Sequence, residues 1–144
     1  MRALLDINVL IALFDADHIF NERAHNWLEA QSATGIATCP LTENGVVRIL
    51  SNPNYSKKIR LTPPDVLSRL VAFLAKQDHR LIDDNISLTN PDRFNFAHIL
   101  GPKQITDIYL LGLASRNAAK LATFDANIPL RAVKDASAAN LEVI

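Results

Sequence analysis

The sequence predicts an α/β fold, with a central, mostly parallel sheet covered by helices on both faces. Two patterns carry that expectation. Short apolar segments of strand character recur along the chain, and longer segments with helical periodicity separate them. Strands joined by helices of that length form βαβ units, whose crossovers leave helices on the sheet faces. A third observation concerns polarity: acidic residues follow several of the apolar segments, at the ends where open α/β sheets bind ligands.

Arg2–Leu5 reads as the first strand. Val9–Phe14 is apolar all round, which suits a buried helix. Asn21 can cap the next helix, where Ala24, Trp27 and Leu28 fall at helical spacing and Trp27 is expected in the core. Ile36–Cys39, after Gly35, reads as a short buried strand. Thr42 suits the cap of a third helix striped by Val46, Val47 and Leu50, which stops near Asn52-Pro53. Thr62-Pro63-Pro64-Asp65 is a strong helix start: a capping residue, proline in the first turn and an acid at the third position. Arg80–Ile82 reads as a strand, and residues 90–98 as an irregular stretch or short helix. Gly101-Pro102 breaks the chain before a helix from Ile105 to Arg116. Lys120–Phe124 and Leu141–Ile144 read as the last strands.

The chain has 144 residues, no internal repeat and no polar linker, so a single domain over 1–144 is expected. It is 49% hydrophobic and 21% charged, the balance of an ordinary globular chain. No apolar run approaches a membrane span. The opening MRALLDINVLIALF resembles a signal peptide only briefly, because Asp6 and Asn8 interrupt it and no cleavage site follows. Cys39 is the single cysteine, so no internal disulfide can form, and a cytoplasmic protein is expected. Formal net charge is zero, so any surface for a phosphate backbone must be local.

Four acids stand out. Asp6 follows the first strand, Asp125 follows Lys120–Phe124, Glu43 comes soon after Ile36–Cys39, and Asp107 lies in the first turn of its helix. Each has an ordinary explanation. Asp6 could cap a helix, Glu43 and Asp107 could complement positive helix ends, and Asp125 could shape a turn. Together they point elsewhere. Crowded carboxylates raise one another's pKa and destabilise a fold unless a cation neutralises them. Hard oxygen donors suit Mg²⁺ or Mn²⁺, ions that activate water and stabilise charge on a phosphodiester.

Other chemistries fit poorly. His18, His25, His79 and His98 have no zinc spacing and read as surface or packing residues. Cys39 lies in an apolar strand and reads as a buried hydrophobe. There is no GxSxG and no P-loop.

At these residues the chain resembles a known family. LLDINVLIAL resembles the opening of a PIN domain, LTENGVVRIL its Glu-bearing helix, ITDIYLLGLA its Asp-bearing helix and LATFD its final acidic strand end. RAHNWLEA and RILSNP further resemble VapC toxins of VapBC toxin–antitoxin pairs. The resemblance implies a PIN-like three-layer α/β/α fold and a Mg²⁺- or Mn²⁺-dependent endoribonuclease. It also implies a homodimer, and inhibition by a VapB-type antitoxin. Residue by residue, Asp6, Glu43, Asp107 and Asp125 match the acidic positions, and Asn8 and Thr123 match polar positions that support them. Where many relatives carry one more acid, this chain has Asn127, which offers a carbonyl oxygen but no charge.

The expected reaction is hydrolysis of RNA, of tRNA or rRNA type, with Asp6, Asp107 and Asp125 holding the ion. Glu43 orients or deprotonates the water, or shares the ion. A cationic track is expected beside the site, from Lys57, Lys58 and Arg60 in a loop, or from Arg48; Lys103 and Arg116 are further cations. Residues 9–14 with Ile19 and Phe20 could offer an apolar groove to a partner, or could simply be core. Three other readings compete. A PIN nuclease could process RNA without an antitoxin, and a non-catalytic module could only bind RNA or a partner. A haloacid-dehalogenase-like phosphatase would need an aspartate where Asn8 stands.

Overall fold

A computed structural model describes residues Met1–Ile144. The chain runs β1 (Ala3–Leu5), α1 (Ile7–Phe14), α2 (Asn21–Gln31), β2 (Ile36–Thr38), α3 (Pro40–Leu50) and α4 (Pro63–Ala75). It continues through β3 (His79–Leu81), α5 (Ile105–Arg116), β4 (Lys120–Thr123) and β5 (Leu141–Val143), with short 3₁₀ turns between. The strands form one sheet in the order β3-β2-β1-β4-β5, and every neighbouring pair is parallel.

The three central strands, β1, β2 and β4, are buried on both faces. Successive residues enter opposite cores: Ala3, Leu5, Ile36 and Ala122 one, Leu4, Ala37 and Leu121 the other. The first core is closed by α1–α4 through Val9, Leu10, Leu28, Val46, Leu50, Val66 and Leu70. On the opposite face a single helix, α5, packs through Ile108 and Leu111, and irregular segments carrying Phe94, Ile128 and Val133 complete the layer. Phe94 lies directly on Gly112 of α5, where an added Cβ would come within 2.7 Å of the ring.

Element boundaries match the sequence expectation to within about two residues, but two caps differ. Helix α3 begins at Pro40 with Cys39 as its cap. Proline has no N–H to satisfy, so it opens the helix early. Thr42 therefore sits in the third helical position, where its hydroxyl accepts from the Cys39 N–H at 3.0 Å. Asn21 lies inside α2, and its side-chain amide donates instead to the Ala12 carbonyl of α1, at 2.8 Å. That carbonyl is near the end of α1, where a tertiary partner is available to a polar group. The Thr62–Asp65 capping box forms as expected. Trp27 packs against the first core without being fully buried. No helix is long and apolar enough to cross a membrane.

Strand order reverses at β1, whose sheet neighbours β2 and β4 lie on either side of it. The crevice outside the carboxyl ends of β1 and β4 is where such sheets present ligand sites.

Candidate active site

Asp6 leaves β1 directly into this crevice and is 3% exposed. It occupies the cap position of α1, yet its side chain makes no capping bond. Its Oδ2 instead accepts from the Thr123 hydroxyl at the end of β4, at 2.8 Å. Burial pushes this carboxyl up, the Thr123 hydroxyl and the amides of Ile7 and Asn8 pull it back, and Asp125 adds a smaller upward push. The same Thr123 oxygen accepts from the Asp125 N–H at 3.1 Å. One hydroxyl thus fixes two strand ends relative to each other.

Asp125 is exposed and does shape a turn: its Oδ1 accepts from the Asn127 N–H at 2.7 Å. Asp107 projects from the first turn of α5 and is partly buried. Burial first, then the charges of Asp6 and Asp125, push its carboxyl up to about 6. A carboxylate that merely complemented a helix end would be drawn down. Asp6, Asp107 and Asp125 are therefore electrostatic neighbours.

Glu43 is held from the neighbouring strand β2. Its Oε1 accepts from the Thr38 hydroxyl at 2.7 Å, and its charge acts on His79. No three acidic, His or Cys side chains form a preassembled cation cage. The donor chemistry of the Asp6, Asp107 and Asp125 group still fits a hard divalent ion. All donors are oxygens, and a positive charge there would relieve the raised Asp107.

The remaining expected residues fall in different places. Asn8 is exposed on the first turn of α1. Asn127 reaches Asp125 through its backbone N–H. Lys57 and Lys58 are exposed in the loop between α3 and α4, which the Tyr55 hydroxyl anchors to buried Asp15. Arg60 clasps that loop, with Nη1 donating to the carbonyls of Pro53 and Ser56. Arg48 lines a groove of about 480 Å³ together with Glu43, Asn44, Ser51 and Leu67. Residues 9–13 are buried core, so they offer no groove to a partner, whereas Ile19 is 86% exposed. Cys39 is buried and its thiol is pushed up to about 11, chiefly by burial, which makes it a poor nucleophile.

Three residues at this edge escape sequence reasoning. Asp84 accepts from the Leu41 N–H at the start of α3, at 3.0 Å. Thr38 and His79 form a hydrogen-bonded pair beside Glu43. No spacing signal marks them, because their proximity depends on the order of β2 and β3 in the sheet.

The chain and its fold have known relatives. The PIN domain profile matches residues 3–134. Ribonuclease VapC44 of Mycobacterium tuberculosis is 38% identical over the full length of both chains. Ribonuclease VapC38 of the same organism is 41% identical over 88% of this chain and 86% of its own. Among solved structures, VapBC2 from Rickettsia felis, bound to a promoter DNA fragment, shares the fold with a TM-score of 0.61 and 18% identity. That match covers 100% of this chain and 99% of the other. The chain belongs to the PIN-domain family and, within it, to the VapC ribonucleases.

Proposed function

We propose that this chain is the endoribonuclease toxin of a type II toxin–antitoxin pair, acting in the cytoplasm on tRNA or rRNA with Mg²⁺ or Mn²⁺. The observation that carries the reading is that Asp6 and Asp125 follow the two adjacent strands β1 and β4 where strand order reverses, with their charges acting on Asp107. Those three would hold the ion, which when bound supplies charge neutralisation and a Lewis acid for the phosphoryl oxygens.

The chain's own groups do the rest. Thr123 keeps Asp6 oriented toward the crevice. Glu43 has one oxygen engaged by Thr38, which leaves Oε2 to accept from the attacking water and take its proton. The water oxygen bonds to phosphorus in line as the bond to the 3′-oxygen breaks. That oxygen takes a proton from solvent, and the downstream fragment keeps a 5′-phosphate. Arg48, in the groove beside Glu43, grips the backbone of the RNA, and Lys57 and Lys58 extend the cationic track.

The partners follow the same reading. A second copy of the chain forms a homodimer. A VapB-type antitoxin silences the site by placing an Arg or Lys among the carboxylates, where it replaces the ion's charge. The test is cleavage of purified tRNA and rRNA by the chain, with Mg²⁺, Mn²⁺ or EDTA, and by the Asp6→Asn and Asp107→Asn variants. Cleavage that requires the ion, leaves 5′-phosphates and disappears in both variants is expected. Full activity in EDTA or in either variant would overturn the reading.

A further inference from the structure

We propose that Thr38 and His79 are positioning residues for hydrolysis, holding the Glu43 carboxylate in place through a hydrogen-bonded chain that crosses from β3 to β2; this rests on the nuclease reading above. Thr38 is the last residue of β2 and is wholly buried. Its Oγ1 lies 2.7 Å from Glu43 Oε1 and 2.7 Å from His79 Nε2. A hydroxyl has one proton to give, and an ionised carboxylate can only accept. The Thr38 proton therefore points to Glu43, and His79 must donate from Nε2. In the neutral ring the tautomer protonated at Nε2 is thereby selected.

The identity of Thr38 supports this role. A buried strand position is filled equally well by valine, which has the same shape and no polar atom. A hydroxyl buried there is costly unless bonded, and both of its bonds go to this chain. Glu43 gains what a long, half-exposed side chain otherwise lacks. Its three rotatable bonds are restrained before substrate arrives, and one carboxylate oxygen is fixed while the other stays free. Thr123 does the same for Asp6. The two strands that flank β1 thus each end in a threonine whose hydroxyl holds a carboxylate. His79 is the added part, a support reaching from the edge strand. Burial and the nearby Arg2 favour its neutral form, against the opposing charge of Glu43.

The test uses Thr38→Val, Thr38→Ser, His79→Phe and His79→Gln in the full chain, with kcat and KM measured on a defined RNA oligonucleotide at saturating Mn²⁺. Thr38→Val should lower kcat about 10-fold or more with KM little changed, and Thr38→Ser should recover most of the loss. His79→Phe should lower kcat, and His79→Gln, which keeps an N–H donor, should restore it in part. The decisive arm is the Glu43→Gln background. There Thr38→Val should add almost nothing, because it acts through Glu43. An undiminished effect of Thr38→Val in that background, or unchanged kcat in Thr38→Val, overturns the proposal. A slowly exchanging His79 Nε2–H proton by NMR, lost in Thr38→Val, is expected independently of turnover. If the parent chain cleaves no RNA under any metal condition, the nuclease reading fails first and this inference with it. An active parent with an indifferent Thr38→Val removes only the inference.

Discussion

The hydroxyl of Thr123 donates to the carboxylate of Asp6 at 2.8 Å, joining positions 117 residues apart in sequence. Removing that hydroxyl leaves a buried carboxylate without its strongest partner. Thr123→Val should cost about 1–3 kcal/mol of stability, because an unsatisfied buried acceptor bears its full desolvation penalty. RNA cleavage should fall in parallel, and Thr123→Ser should preserve both. Urea unfolding and single-turnover cleavage of the three proteins check this.

Asp107 makes a prediction about pH. Its folded carboxyl is raised to about 6 from an ordinary value of 3.8, so between those values the folded state binds more protons than the unfolded chain. The contribution of Asp107 is most favourable below pH ~4 and is lost as pH rises through ~6. In metal-free protein at pH 7, Asp107→Asn should therefore be the more stable form, by on the order of 1 kcal/mol or about 3 °C in Tm after allowance for partial exposure. The two proteins should converge near pH 4. Mg²⁺ should stabilise the parent more at pH 7 than at pH 5, since protons compete for the same oxygens. Thermal melts across pH, with and without the ion, would show the opposite slope if Asp107 were an ordinary helix-end acid.

The cationic residues separate by role. Arg48 shares a groove with Glu43, so Arg48→Ala should weaken RNA binding and reduce the salt dependence of affinity by about one phosphate contact. Arg60 is occupied with the carbonyls of Pro53 and Ser56. Arg60→Ala should first loosen the loop, seen as faster proteolysis near residues 53–60, before any change in RNA affinity. Filter binding at several salt concentrations beside limited proteolysis distinguishes the two.

Gly112 is where α5 meets the ring of Phe94. Gly112→Ala places a methyl into that ring, and a rigid aromatic in a packed layer gives way poorly. The expected loss is about 1–3 kcal/mol, partly recovered by Phe94→Leu in the same chain. Chemical denaturation of the single and double variants measures it.

What could be read from the sequence followed the physics of each feature. A strand such as Ala3–Leu5 was legible because burial on both faces leaves a continuous apolar run. The Thr62–Asp65 start was legible because a capping box is local. Thr42 and Asn21 misled because the same side chains found better partners, a proline-opened helix in one case and a neighbouring helix carbonyl in the other. The charges of Asp6 and Asp125 act on Asp107, a coupling across the chain that follows from the order of the strands. Glu43 is held by Thr38 at the end of β2, a contact its position just after that strand did not disclose. His79 read as an unremarkable histidine because its role needs β3 beside β2, a relation that no local pattern encodes.

The bond between Thr123 and Asp6 also sets a clock. A ribosome that has reached residue 100 has released Asp6 and Glu43 but neither Asp107 nor the strand that seats Asp6. An emerging chain therefore cannot seat Asp6 until residue 123 has left the ribosome. Asp6 thus waits unpartnered for a strand residue made 117 positions later.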